Sequence, residues 1–242
     1  MTDELWPGGP RFKNEAGVFR LGTDSVLLAH FTKASLVKKK KRAADLGCGS
    51  GILSILLAWD EPSLSVDGVE IQPQAARLAS ENVKLCGLED RVNIVEGDLR
   101  DHSGPFIAGA YDMVVANPPY YPLGSGKRSA DANVALARDE GSCSLADICT
   151  AAGYLARWGG SFMLVHKPER LAELFRLLSA SGFEPKRLRF AQHKQSSPPS
   201  LVLIESRRGG NPSLIVEAPL ILANDDGSDS DEVRAIYRRN LE

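Results

Sequence analysis

Asn117-Pro118-Pro119-Tyr120 is the stretch of this 242-residue chain whose residue types come nearest to chemistry. The Asn117 side-chain carbonyl and the Pro118 main-chain carbonyl are two acceptors close together, a pairing suited to the two N–H bonds of a planar amino group. Tyr120 adds a ring face on which an aromatic acceptor can stack, a contact worth ~1–3 kcal/mol for a base. In isolation the tetrapeptide reads equally well as a proline-rich turn closing a strand. A second stretch, Asp45-Leu46-Gly47-Cys48-Gly49-Ser50-Gly51, places glycines where a backbone can turn sharply and approach a ligand closely. Ile52 stands where the dinucleotide fingerprint has its third glycine, and no lysine followed by Ser or Thr completes a Walker pattern. A pyrophosphate is therefore disfavoured as the ligand. Cys48 has no base near it in sequence and reads as a small loop filler.

Those two stretches need elements to hold them, and the chain supplies alternating strands and helices. Ala43–Leu46 reads as a strand and Ile52–Ala58 as a helix, so the glycines form a strand-to-helix turn. Leu64–Glu70 alternates like a strand, Pro73–Leu85 reads as a helix opened by proline and closed by Gly87, and Val92–Val95 is a third strand. Tyr111–Ala116 is a fourth strand, which the prolines end. Helices are expected over Leu145–Leu155 and Pro168–Leu178, with a strand at Phe162–Val165 between them. Arg187–Phe190 and Leu201–Ile204 are expected as closing strands joined by a turn at Ser196–Pro199. Gly22-Thr23-Asp24 opens an amphipathic helix before the sheet, and an acidic stretch from Asp225 to Glu232 precedes a short helix over Val233–Arg239. This is an α/β pattern with about seven strands. In an open sheet of that kind, loops at the carboxyl ends of the strands bind ligands, which puts Asn117 beside the glycine turn.

Composition narrows the classes. Hydrophobic residues are 43% and charged residues 25%, which excludes collagen-like and largely disordered chains. One domain over 1–242 is expected, made of a leading segment 1–35, a core 36–210 and an extension 211–242. The net charge of −2 announces no global positive field, so a nucleic-acid site would have to be local. Cys48, Cys86, Cys143 and Cys149 include no CxxC pair, and His30, His102, His166 and His193 lie in separate segments, so neither a disulfide framework nor a metal site is expected. No stretch approaches the ~18 apolar residues of a membrane span, and no leader pattern opens the chain, so a cytoplasmic location is expected.

With its glycines in the form D-x-G-x-G-x-G after the first core strand, the sequence resembles the class I methyltransferases that use S-adenosylmethionine. The resemblance implies a Rossmann-like fold, a seven-stranded, mostly parallel sheet with a final antiparallel strand. It implies a cofactor cradle of Asp45, Gly47, Gly49 and Gly51, with Glu70 and its neighbour Ile71 at the ribose and Asp98 with Leu99 at the adenine. Carboxylates suit both tasks because they only accept hydrogen bonds. S-adenosylhomocysteine would be the product. Asn117 to Tyr120 is similar to the fourth motif of amino-group methyltransferases acting on adenine, guanine or the glutamine of release factors, which implies catalytic roles for Asn117, Pro118, Pro119 and Tyr120.

The widest resemblance is to bacterial methyltransferases that modify the exocyclic N6 amino group of adenine next to the anticodon of valine tRNA. Phe19–Ala29, Asn117–Tyr121, Ala137–Glu140 and Ala218–Ile221 carry it. It implies a tRNA partner and a pre-motif helix whose Thr23 and Asp24 approach the methionine part of the cofactor; a plain helix N-cap is the other reading. For RNA phosphates, Lys186, Arg187, Arg189, Lys194, Arg207 and Arg208 stand against Glu205 alone, a local +5, and Lys127 and Arg128 follow the tetrapeptide. Lys38 to Arg42 is read as a solvated entry loop. Methylation of a ribosomal RNA base or of a release-factor glutamine, or cofactor binding without catalysis, are the alternatives. The last has no use for Asn117 beside an aromatic.

Overall fold

The computed structural model describes residues 2–13, 22–36, 42–101, 106–118, 120 and 143–239. Pro119, Lys127, Arg128, the stretch 137–140 and all but the last residue of the Lys38–Arg42 run lie outside the described residues. The chain opens with a hairpin, β1 (Thr2–Glu4) against β2 (Arg11–Lys13). Helix α1 (Thr23–Leu36) leads to β3 (Arg42–Leu46), followed by α2 (Ile52–Asp60), β4 (Ser65–Glu70), α3 (Pro73–Leu85), β5 (Val92–Glu96) and β6 (Tyr111–Ala116). Then come α4 (Leu145–Leu155), β7 (Ala156–His166), a 3-10 turn over Pro168–Arg170, α5 (Leu171–Ala180), and the antiparallel pair β8 (Phe183–Gln192) and β9 (Pro199–Arg208). Two short strands, β10 (Ile215–Val216) and β11 (Leu220–Ile221), and helix α6 (Asp231–Ile236) complete it.

The main sheet runs β10-β8-β9-β7-β6-β3-β4-β5, with β11 also on β8. All neighbours are parallel except that β9 runs against both β7 and β8. The expected antiparallel strand thus sits between two parallel ones, and the two short strands widen the seven-stranded sheet to nine. The chain steps outward from β3 to β4 and β5, then returns to pair β6 on the other side of β3. That reversal opens a crevice at the carboxyl ends of β3 and β6, because the following segments diverge to opposite faces.

Alternation along the strands sorts the core into two layers. Met113, Val115, Met163, Val165, Leu201 and Leu203 face α1, α2 and α6. Val114, Ala116, Phe162, Leu164, Val202 and Ile204 face α4 and α5. Leu27 and Leu28 of α1 are fully buried, each contributing about 1.5–3 kcal/mol of transfer free energy. Local signals place the helix ends: Pro73 in the first turn of α3, Gly87 at φ 65° just past its last turn, and a capping box of Ser144 and Asp147 on α4. The extension 211–242 is not a loose tail over its described part, since β10 and β11 pair with β8 while Val233 and Ile236 join the core beside α1. No helix of the described residues is long and apolar enough to cross a membrane.

Candidate active site

Register fixes the centre of the crevice. Leu46, the last residue of β3, is paired with Ala116, the last residue of β6, so Gly47 and Asn117 leave the sheet side by side. Gly47, Gly49 and Gly51 all adopt positive φ, at 70°, 56° and 82°, a region that side chains with a Cβ rarely occupy. A Cβ on Gly47 or Gly49 would meet open space, whereas one on Gly51 would lie 3.1 Å from the Ala79 Cβ. The first two glycines therefore bare backbone toward the crevice, and the third lets α2 close on α3. The Gly47 and Cys48 N–H groups donate to the Val69 carbonyl at 2.9 and 3.0 Å, and Asn82 Nδ2 donates to the Ser50 carbonyl at 3.0 Å. Cys48 is buried, its thiol pushed well above the ordinary range by burial, and its Sγ lies 3.0 Å from where a Cβ on Gly68 would stand. It fills space in the loop.

Carboxylates line the loop at three depths. Asp45 is 1% exposed, accepts the Ser54 hydroxyl at 2.6 Å, and is pushed up to about 7 by burial. Glu70 ends β4, accepts the Gly49 and Gln72 N–H groups at 2.9 Å each, and is raised by burial against the pull of those donors. Ile71, next to it, exposes an apolar side chain. Asp98 is more open, and the Arg100 guanidinium grips both its oxygens at 2.5–3.0 Å, which lowers its pKa. Leu99 packs under it against the α4–α5 layer.

On the other side of the crevice the tetrapeptide is tied to the first turn of α1. Asn117 Nδ2 donates to Ser25 Oγ at 2.9 Å, which fixes the amide. The Tyr120 hydroxyl lies 2.5 Å from Asp24 Oδ2 and 2.9 Å from Asn117 Oδ1. One proton serves one acceptor at a time, and the charged carboxylate is the stronger. The Asn117 carbonyl thus keeps acceptor capacity for another donor. The Tyr120 ring meets His166 edge-on at 5.4 Å between centroids, and Lys167 Nζ lies 4.9 Å from its centre. Tyr120 here is packed inward by its hydroxyl, not splayed as an open stacking platform. Thr23 opens α1, exposed, and bonds to Tyr237 beyond α6.

The six basic residues of segment 186–208 do not form one patch. Arg187 pairs with Glu205 and Glu217, donates to the Phe31 carbonyl and lies over the Phe31 ring. Arg189 pairs with Glu232 at 2.5 Å and donates to the Ala218 carbonyl at 2.9 Å. Both are structural ties, and two of the matching acids, Glu217 and Glu232, lie outside the window in which the charge was counted. Lys186 reaches the Asn211 carbonyl and Ser213, and Arg208 the Ala156 carbonyl. Because β9 is antiparallel, Arg207 and Arg208 end it at the sheet edge opposite Asn117, while Lys194, bound to the Asp225 carbonyl at 2.8 Å, leaves β8 at the carboxyl edge. Arg42 also lies at the opposite edge, bonded to Asp67 and stacked on Tyr111.

Sequence reasoning missed Ser25, His166 and Lys167. The signal for the last two was present, since β7 must run to the same edge as β6 and its end must border Asn117.

A family model described as the methyltransferase small domain matches residues 10–167. A tRNA1(Val) (adenine(37)-N6)-methyltransferase of Tolumonas auensis is 30% identical over 218 residues, covering 90% of this chain and 87% of the relative. One of Aeromonas salmonicida is 35% identical over 162 residues, 66% of this chain and 64% of the relative. Among solved structures, a predicted O-methyltransferase from Agrobacterium tumefaciens superimposes with a TM-score of 0.72 at 19% identity, covering 91% of this chain and 98% of that one. A geranyl diphosphate C-methyltransferase from Streptomyces coelicolor A3(2) gives 0.55 at 14% identity over 75% of this chain and 77% of that one. At such identities the structures speak to the fold alone.

Proposed function

Because the chain belongs to the methyltransferase small domain family and, within it, to the tRNA1(Val) (adenine(37)-N6)-methyltransferases, we propose that it methylates N6 of adenosine 37 in valine tRNA. S-adenosylmethionine, the methyl donor, supplies an activated methyl group on a sulfonium, so the protein needs little general-base power. The residues present fit that cofactor. Gly47 and Gly49 offer bare backbone at positive φ, Glu70 is a buried acceptor at the strand end, Ile71 an exposed apolar wall and Asp98 an outer acceptor. In this reading Glu70 takes the ribose hydroxyls, Asp98 and Leu99 the adenine, and Asp45, Gly51, Thr23 and Asp24 the rest of the site.

An adenine amino nitrogen is a poor nucleophile because its lone pair is delocalised into the ring. Asn117 Oδ1 and the Pro118 carbonyl would accept its two N–H bonds, draw the nitrogen toward a tetrahedral shape and free its lone pair for the methyl group; once methylated, the nitrogen would release one of those protons to solvent, and the donor would leave as neutral S-adenosylhomocysteine. To do so the amino group displaces the Tyr120 hydroxyl from Asn117, and Tyr120 becomes the stacking partner of the flipped base. Among the acceptor residues, Ser25 holds the amide that must not turn over. No metal is invoked at any step, and the tRNA is the one macromolecular partner this reading requires.

The observation that carries the reading is the paired end of β3 and β6, which sets the glycine turn against an under-bonded Asn117 carbonyl. The test is transfer of labelled methyl to unmodified valine tRNA, ribosomal RNA and release factor in parallel. Label on tRNA as N6-methyladenosine is expected, with Asn117→Ala losing at least about 100-fold in rate, the scale of a lost transition-state acceptor, while still binding cofactor. Label on protein or ribosomal RNA alone would overturn the acceptor.

A further inference from the structure

We propose that Lys167 is a phosphate-binding residue of the acceptor site, which rests on the Tyr120 ring until a flipped nucleotide takes its place and brings a backbone phosphate to it. The inference rests on the RNA reading above and adds to it a residue that neither the charge count nor the motifs marked.

Lys167 follows the last residue of β7, and Leu164 of that strand is paired with Ala116 at the end of β6. The lysine therefore leaves the sheet just beyond the level of Asn117. Its ammonium lies 4.9 Å from the Tyr120 ring centre and 3.3 Å from the Ser200 carbonyl oxygen. Among the described residues neither partner is an anion. That sets it apart from Arg170, Arg187 and Arg189, which are matched by Glu173, by Glu205 with Glu217, and by Glu232. A half-exposed ammonium over a tyrosine gains about 0.5–1 kcal/mol. The bond to the Ser200 carbonyl is already charge-assisted through the ammonium, but neither present partner carries a full negative charge, so an incoming phosphate adds an ion-pair attraction that neither supplies.

The same geometry couples the two events: an adenine that stacks on the face of Tyr120 that Lys167 covers evicts the ammonium from it. The flexible four-carbon stem lets the charge move without backbone change. Edge-on to the ring, His166 is fully buried, takes the Lys167 N–H on Nδ1 at 2.8 Å and leaves Nε2 without a hydrogen-bond partner among the described residues. Burial, aided by Arg170, depresses its pKa to about 4, so the imidazole is neutral and does not compete for the anion. The edge-on His166 contact then holds Tyr120 while its face changes occupant.

The test compares the wild type with Lys167→Met, which keeps the stem and removes the charge, and Lys167→Arg, which keeps a charge. Each full-length protein is titrated with unmodified valine tRNA by fluorescence anisotropy across a fourfold range of salt, and cofactor affinity and methylation at saturating tRNA are measured alongside. Losing one single-strand phosphate contact makes the slope of log K against log salt shallower by about 0.7, so wild-type affinity falls about 2.6-fold more than that of Lys167→Met over the range. Lys167→Arg restores the slope, and cofactor affinity is unchanged in both. Equal slopes for wild type and Lys167→Met overturn the proposal, as does a loss confined to rate or cofactor affinity, which would make the lysine a packing partner of Tyr120. If the wild type itself binds and methylates no tRNA, the RNA reading fails and this inference with it.

Discussion

Replacing Asp45 by Asn tests the physical state of the glycine turn. The Asp45 carboxyl is 1% exposed, receives the Ser54 hydroxyl at 2.6 Å, and is raised from 3.8 to about 7, chiefly by burial, with the charge of Glu70 adding to the rise. Between those two values the folded protein holds a proton that the unfolded chain has released. Stability from this group is therefore fully present at low pH and is lost as pH rises through the folded value. Each unit of difference is about 1.4 kcal/mol, so from about pH 5 to about pH 8 this carboxyl costs the wild type about 2–3 kcal/mol. An amide at position 45 keeps the shape and still accepts from Ser54 but has no charge to desolvate. Glu70 is common to both proteins and largely cancels in the difference. Urea unfolding of both proteins across that range should show Asp45→Asn gaining on the wild type by about 2–3 kcal/mol toward high pH, with unchanged m-values. A difference between the two proteins that stays constant with pH would refute the burial argument.

Two further outcomes follow from contacts in the crevice. Ser25→Ala leaves one end of the Asn117 amide without its partner, a cost of about 1–3 kcal/mol at a buried site; single-turnover methylation should slow about tenfold or more while cofactor affinity holds, and Ser25→Thr should recover most of the rate. Arg100→Ala releases Asp98 from an exposed ion pair worth about 0–1 kcal/mol, so calorimetric affinity for S-adenosylhomocysteine should rise by up to about fivefold; weaker binding would mean that Arg100 itself belongs to the cofactor site.

The strand-helix alternation was readable because each boundary carries a local cause. Pro118 stops β6, Pro73 starts α3 and Gly87 turns the chain after it. The strands were too short in the sequence reading wherever packing extends them: β7 continues back through Gly159 and Gly160 to Ala156, a stretch whose glycines argue against a strand until β6 is laid beside it. The hairpin β1–β2 and the two-residue strands β10 and β11 carry no readable period, and their partners alone define them. Charge was the least legible feature. Counting over 186–208 could not include Glu217 and Glu232, which the fold brings to Arg187 and Arg189. At the site the motifs gave the residue types, but the link from Asp24 and Ser25 to Tyr120 and Asn117 spans more than ninety residues and leaves no local trace.

Helix α1 and helix α6 share one core, and Thr23 bonds Tyr237. The first turn of α1 is also what holds Asn117 and Tyr120. Segments far apart in the sequence thus meet behind the Asn117 amide, with consequences for the order of events on the ribosome. A nascent chain that has emerged as far as Tyr120 already contains the glycine turn and the tetrapeptide, yet α1 still lacks β7, β9 and α6, against which it also packs. Docking of the segment from residue 211 to residue 236 therefore bears on how α1 is seated, and through it on Asn117 and Tyr120, although both motifs lie upstream.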